Sequence, residues 1–276
     1  MKAIVVVLCS LAILCVGSGY AMAEKTTITV DGSTTVGPIA KAFAGYFMGT
    51  HPDVNVNVSE SGSGIGAQNF CNGTCDVAAM SRFMKLQEFK TAVDKGYMPV
   101  AHVVAVDGVA VVVHPSNRVE KLTMNQLKSI YEGKVKNWSE LGGPSMPIVK
   151  ISRETSSGTY EVFDEKVMKG TRVAGDAETV ASNGAMRTRV QNTPAAIGYI
   201  GLGFVDRTVK PLKMNGILPN RQTVATGTYP IARPLFLFTN GYPAPGSALH
   251  AFVTIHLSEK GQEIVEDRGF VPVTDY

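Results

Sequence analysis

The chain has little of what most enzymes and membrane proteins need. It has no H-E-x-x-H, P-loop or paired-carboxylate pattern and no G-x-S-x-G elbow. Its five histidines, His51, His102, His114, His250 and His256, are scattered without a triad context. These absences argue against an enzyme. Charge of one sign is also lacking: 26 basic residues against 23 acidic ones give a net charge of +3, which makes no case for nucleic acid or an anionic membrane surface. Beyond the first 23 residues no apolar run approaches membrane length. There is no internal repeat, low-complexity tract or long charge run.

Residues 1–23 read as a secretory signal. Lys2 supplies the positive start, Ile4 to Val16 is apolar apart from Ser10, and Ala21-Met22-Ala23 is a small-x-small cleavage site. Leu14 is a poor residue before a lipidated cysteine, so cleavage after Ala23 is favoured over processing at Cys15. The mature chain, 24–276, is then expected to be soluble and exported. Of the four cysteines only Cys71 and Cys75 would remain. Four positions apart in an oxidising compartment, they favour a local disulfide closing the Asn72-Gly73-Thr74 turn. A metal pair is the rival, but no His or further Cys lies near enough in sequence to complete it. No metal or cofactor is expected.

What the chain does have is three short turns rich in hydrogen-bond donors. The most informative is Ser152-Arg153-Glu154-Thr155-Ser156-Ser157-Gly158-Thr159, which opens helix-like sequence through Tyr160, Val162 and Phe163. Small polar residues at a helix start leave N–H groups free for an anion, and Arg153 can give two parallel bonds to a tetrahedral oxyanion. Gly32-Ser33-Thr34-Thr35 and Ser61-Gly62-Ser63-Gly64 repeat this chemistry, each after a β-like run. Either alone could be an ordinary helix cap. The second also matches G-x-G-x-x-A, but Met80-Ser81-Arg82 lacks the acid a dinucleotide site needs about twenty positions on. Three converging turns and one arginine predict an anion-binding site.

Strand and helix patterns alternate along the chain. Strands are predicted at Thr26–Val30, Val54–Val58, Asp76–Ala79, Ile148–Ile151, Ile197–Ile200 and Leu235–Phe238, with a long run at Val103–Val113 interrupted by Asp107-Gly108. Helices are predicted at Met84–Asp94, Leu122–Tyr131 and Ala248–Glu266, the last as one helix or a pair. This is an α/β pattern with a largely parallel sheet, in which ligands bind beyond the carboxyl ends of strands, where the donor turns fall. Trp138 reads as a packing residue.

The ordered set Gly-Ser-Thr-Thr, Ser-Gly-Ser-Gly, Ser81-Arg82, Asp107-Gly108-Val109-Ala110-Val111 and Ser152-Arg153-Glu154-x-x-Ser157-Gly158-Thr159 resembles the phosphate-binding proteins of the bacterial high-affinity phosphate ABC transporter. Tyr131-Glu132-Gly133-Lys134, Asn137 to Gly143 and Ala196-Ile197-Gly198-Tyr199 extend the resemblance over essentially the whole mature chain. It implies a type II periplasmic-binding fold, two α/β lobes joined by two crossovers and closing on phosphate. Lobe I would hold 24–107 and 230–276, and lobe II 108–229. By motif, Thr34 and Thr35 match the first phosphate-binding turn, Ser63 the second, and Arg153, Ser157, Gly158 and Thr159 the third. Ser81 stands where some members place an aspartate that accepts the phosphate proton. Asp107 is the nearest carboxylate that could take that role, with a backbone-bonded hinge residue as the alternative.

The resemblance implies a monomer that delivers inorganic phosphate to permease subunits. An exported oxyanion sensor or store, or a phosphoester hydrolase using Ser157, are the rival functions.

Overall fold

A computed structural model describes residues 26–274. The expected signal segment, 1–23, and its cleavage site lie outside the described residues. The chain runs β1 (Thr26–Gly32), α1 (Gly37–Thr50), β2 (Val54–Val58), α2 (Ser63–Cys71), β3 (Val77–Met80), α3 (Leu86–Asp94) and the long β4 (Pro99–Val113). It continues through β5 (Lys121–Leu122), α4 (Met124–Tyr131), β6 (Val149–Arg153), α5 (Gly158–Phe163), β7 (Glu178–Val180), α6 (Asn183–Gln191) and β8 (Ala196–Gly201). The short β9 (Lys210–Pro211), β10 (Lys213–Met214) and α7 (Arg221–Ala225) precede β11 (Ala232–Asn240), α8 (Ala248–Val253) and α9 (Glu259–Asp267). The predicted closing helix is thus a pair. No helix among the described residues is long and apolar enough to cross a membrane.

The sheet order is β2-β1-β3-β11-β4-β8-β6-β7, with β9 also on β4. Its outer parts are parallel, as βαβ units require: β1 pairs β2 and β3, and β6 pairs β8 and β7. The middle is antiparallel, through β11 on β3 and β4, and β4 on β8. The largely parallel sheet expected from the alternation is therefore a mixed one. The helical crossovers dictate parallel pairing within each half, whereas β4 and β11 run between halves in opposite directions.

The expected break at Asp107-Gly108 does not occur, and β4 passes through it. Antiparallel pairing carries the strand from Asn240 opposite Pro99 to Ala232 opposite Gly108, and β8 takes over at Val109. Gly108 serves packing here, because a Cβ would stand 2.6 Å from the Val224 side chain.

Two sets of apolar cores form on either side of this line. Ile28, Val30, Phe43, Phe47, Leu235, Leu237 and Phe252 belong to one core, and Phe70, Met80 and Phe238 extend that half under α2 and α3. Val111, Leu127, Tyr131, Phe163, Ile197 and Tyr199 form the core of the other half, with Ile151, Met186 and Ile200 on its far face. Phe163 and Tyr199 stack with ring centroids 4.0 Å apart. Trp138 is fully buried in the second half, donating its indole N–H to the Ala195 carbonyl. The molecule is thus two α/β lobes joined at β4 and at the return into β11, the periplasmic-binding architecture.

The predicted Cys71–Cys75 disulfide is not present. Cys71 ends α2 with its thiol on the Glu88 carbonyl of α3, whereas Cys75, beyond the turn, faces the Gly66 carbonyl. Both are free and buried, and burial pushes Cys75 up to about 12. The turn directs the two side chains to different neighbours in one apolar cluster.

Candidate functional site

The first donor turn leaves β1 through Gly32, whose φ of +136° puts it where L side chains rarely go. A Cβ there would also collide with the Ala79 carbonyl. Ser33 then holds the turn that precedes α1, its Oγ accepting from the amides of Thr35 at 3.1 Å and Val36 at 3.3 Å. The backbone turn presents the Thr34 and Thr35 hydroxyls to the cleft.

The second turn is fixed by Asp31. Its carboxylate accepts from Ser59 Oγ (2.7 Å), Ser61 Oγ (2.8 Å) and Asn69 Nδ2 (2.6 Å). Burial works against the ionised form, but these side-chain donors outweigh it and hold Asp31 below the ordinary carboxylate range. The Gly62 amide bonds the Gly32 carbonyl at 2.7 Å, so the two turns are tied together. Ser63 begins α2, and its Oγ accepts from the Ser81 amide at 3.1 Å and lies 3.3 Å from Ser81 Oγ. Ser81, just beyond β3, is thereby in the same wall.

The opposite wall comes from β6 and α5. Ser157 caps α5, accepting from the Thr159 and Tyr160 amides at 3.2 and 3.3 Å. Its lone pairs face the helix, and only its proton remains for a ligand. Gly158 lies against lobe I, where a Cβ would stand 2.5 Å from Ser63 Oγ and 2.6 Å from Ser81 Oγ. No side chain fits there. Arg153 ends β6 with its amide bonded to the Tyr199 hydroxyl at 3.1 Å, and Ser152 Oγ lies 2.9 Å from the same oxygen.

The walls meet. Thr35 Oγ1 lies 3.1 Å from Thr159 Oγ1, Arg153 Nη2 donates to Thr34 Oγ1 at 3.2 Å, and the Gly64 amide donates to the Ser156 carbonyl at 2.9 Å. Thr34, Thr35, Ser63, Ser81, Asp107, Arg153, Ser157 and Thr159 are all buried, so every predicted site residue with a side chain is drawn into this one interface.

Two further residues were missed by sequence reasoning. Asn183, at the start of α6, donates through Nδ2 to Thr34 Oγ1 at 3.2 Å and Thr35 Oγ1 at 2.9 Å. Arg233, at the start of β11, lies opposite Asp107 of β4 in register. Its Nε and Nη2 bond Asp107 Oδ2 at 3.0 and 2.8 Å, and Nη2 also reaches Thr35 Oγ1 at 3.2 Å and Thr159 Oγ1 at 3.0 Å. Asp107 Oδ1 accepts from the Leu202 amide at 2.8 Å. Both residues are inside the protein: burial pushes Asp107 up, though Arg233 opposes that, and burial pulls Arg233 down. An arginine leading an otherwise apolar strand-like run, Arg233 before Leu235 to Phe238, is the signal the sequence offers.

Arg82, by contrast, is occupied elsewhere. It forms a forked pair with Glu88 at 2.7 and 2.8 Å and an ion pair with Glu161 of α5, which Lys85 also approaches at 3.0 Å. This cluster bridges the lobes beside the site.

The chemistry of the interface is one-sided. Arg153 Nη1 and Arg233 Nη1 are buried and have no hydrogen-bond partner among the described residues. Thr34 and Thr35 already accept from fixed N–H groups, so each has chiefly its proton left to aim. Arg153 has no carboxylate partner among the described residues, and burial, then the neighbouring Arg233, pulls it down to about 10. Buried positive charge and directed donors without acceptors call for an anion. Among the described residues no cluster of His, Cys, Asp and Glu could hold a metal ion.

Known proteins match this architecture. A PBP superfamily domain matches residues 21–260. The phosphate-binding protein PstS of Bacillus subtilis is 34% identical over 250 residues, covering 90% of this chain and 81% of that protein. Protein SphX of Synechococcus elongatus is 34% identical over 270 residues, covering 92% and 79%. A putative phosphate ABC transporter substrate-binding protein from Clostridium perfringens, solved with bound phosphate, superposes with a TM-score of 0.84 at 33% identity, covering 90% of this chain and all of that one. An ABC-type phosphate transport receptor from Vibrio cholerae gives a TM-score of 0.74 at 31% identity, covering 88% and 99%.

Proposed function

The chain belongs to the PBP superfamily and to its phosphate-binding proteins, and we propose that it captures inorganic phosphate and delivers it to the permease subunits of an ABC transporter. The observation that carries this reading is the pair of buried, unpartnered guanidinium Nη1 groups beside hydroxyls from both lobes. Such a site, with several directed donors and one uncompensated guanidinium, suits a compact tetrahedral oxyanion.

In this reading phosphate sits between Thr34, Thr35, Ser63 and Ser81 on one side and Arg153, Ser157, Gly158 and Thr159 on the other. Lobe I comprises 24–107 and 230–276, and lobe II 108–229, a division the apolar cores support apart from Ile231 and Val271, which pack into the lobe II core. Only the closed arrangement brings all donors together, so the ligand favours closure by its differential affinity for that state. Closure is the signal for the permease. The protein works as an exported monomer.

Binding is favoured over phosphoester hydrolysis by the state of Ser157. Its oxygen accepts from two α5 amides, and among the described residues no histidine or carboxylate stands among its hydrogen-bond partners to take its proton. The test is calorimetric titration of ligand-stripped protein with phosphate, alongside an assay for release of phosphate from a simple phosphomonoester. Saturable phosphate uptake without turnover supports the reading, and turnover that disappears in Ser157→Ala overturns it.

A further inference from the structure

We propose that Arg233 is a second anion-binding guanidinium of this site, carried by the hinge rather than by either lobe wall, with Asp107 as its positioning residue. This deepens the phosphate reading and rests on it. The two residues sit opposite each other on β11 and β4, at the point where those strands leave lobe I. Asp107 Oδ2 takes both Nε and Nη2 of Arg233 on β11, and Oδ1 takes the Leu202 amide just beyond β8, so the carboxylate is held from two sides and fixes the plane of the guanidinium. One edge of that plane is spent on Asp107. Nη2 also reaches the hydroxyls of Thr35 and Thr159, one from each wall, and Nη1 is left buried with no partner among the described residues. A guanidinium held in this way presents its remaining N–H groups where the two donor walls converge.

The placement gives the two arginines different parts. Arg153 bonds the Val180 and Ala181 carbonyls, which belong to lobe II, and meets Thr34 only across the closed cleft. It moves away when the lobes part. Arg233 and Asp107 stay on the joining strands, so they offer a guanidinium to an anion in the open form as well as the closed one. Because Asp107 neutralises Arg233, the pair acts through directed N–H groups, while Arg153 supplies the uncompensated charge.

Asp107 acting through Arg233 differs testably from Asp107 accepting a proton from the ligand. Four proteins decide it: wild type, Arg233→Gln, Asp107→Asn and the double variant, each titrated calorimetrically with phosphate and with sulfate, with circular dichroism melts to confirm folding. Arg233→Gln leaves a bare carboxylate facing the anion and is expected to weaken phosphate binding by about 100-fold or more. Asp107→Asn keeps the guanidinium but loosens its aim, and is expected to weaken phosphate and sulfate by the same factor, about 10-fold.

The double variant is expected to bind more tightly than Arg233→Gln alone, since the bare carboxylate is gone, yet about 30-fold more weakly than wild type. If either single variant fails to fold, the uncharged double variant still decides whether Arg233 touches the anion. A folded double variant with wild-type phosphate affinity overturns the role of Arg233. A selective loss of phosphate over sulfate in Asp107→Asn, or in the double variant relative to Arg233→Gln, overturns the positioning role and makes Asp107 a proton acceptor. Failure of wild type itself to bind phosphate overturns the phosphate reading and this inference with it.

Discussion

Thr35 and Thr159 lie 124 positions apart, yet their hydroxyl oxygens stand 3.1 Å from each other across the cleft. Each is fixed by its own turn, one leaving β1 and one entering α5, and Arg233 donates to both. The contact exists only when the lobes meet. Two hydroxyls held this close beside buried guanidinium groups put the proposed phosphate site at the seam, where binding and closure would be one event.

Arg153→Gln should weaken phosphate binding far more than Arg82→Gln. Among the described residues Arg153 has a buried Nη1 without a partner and no ion-paired carboxylate, whereas Arg82 is paired with Glu88 and Glu161. Loss of the charged partner of a buried anion should cost about 2–5 kcal/mol, some 30-fold or more in affinity. Arg82→Gln should first lower the melting temperature, because it strands two carboxylates. Equal affinity losses in a titration would show that the wrong arginine had been assigned.

Glu161→Gln should destabilise the closed form without touching the ligand. Glu161 of α5 receives Arg82 and Lys85 from the other lobe. Removing its charge should weaken phosphate about tenfold, most visibly at low ionic strength, where such pairs are least screened. Small-angle scattering at saturating phosphate should still report the compact form. A variant with unchanged affinity at every salt concentration would mean that the cluster does not act on closure.

How much of this was readable beforehand follows from how local each signal is. Each of the three donor turns is a single contiguous stretch, legible because Gly, Ser and Thr at a strand-to-helix turn carry their own conformational logic. The contact between Arg233 and Asp107 carries no such local signal: it spans 126 positions and depends on the register of two strands that meet only after both lobes fold. Asn183 reads as an ordinary first-turn residue of α6, and only the approach of the opposite lobe gives its amide the Thr34 and Thr35 hydroxyls. The same limit explains Asp107-Gly108. A glycine in a β-branched run suggests a break, whereas continuous pairing on β11 and then β8 carries β4 through it. The cysteine spacing suggested a bridge, but side-chain direction after the turn is not written in spacing.

Stability should fall as the pH drops from about 6.5 to about 4. Burial, then the neighbouring His256 and His250, pulls His102 down to about 4, and burial also lowers His256. In that window the unfolded chain binds protons that the folded one does not, so acid favours unfolding. His102 lies against Thr239 Oγ1 at 2.8 Å. His102→Gln cannot take up that proton, and its melting temperature should decline less over the same range. Parallel decline in the two proteins would assign the acid sensitivity to other groups.

Native Cys71 and Cys75 should be titratable thiols that react slowly. Both are free and buried, and Cys75 is pushed up to about 12, leaving very little thiolate at neutral pH. Alkylation without reductant should be sluggish in the folded protein and reach both cysteines after denaturation. Intact mass showing neither modified would contradict this.

The central claim is that buried, unpartnered guanidinium groups at the seam of the two lobes bind phosphate. It is tested most directly by calorimetric titration of ligand-stripped wild type and Arg153→Gln with inorganic phosphate. The account predicts saturable uptake of one phosphate per chain by the wild type, and an affinity lower by about 30-fold or more in the folded variant. Folded wild-type protein that takes up no phosphate, or a variant that binds it as tightly as wild type, would contradict it.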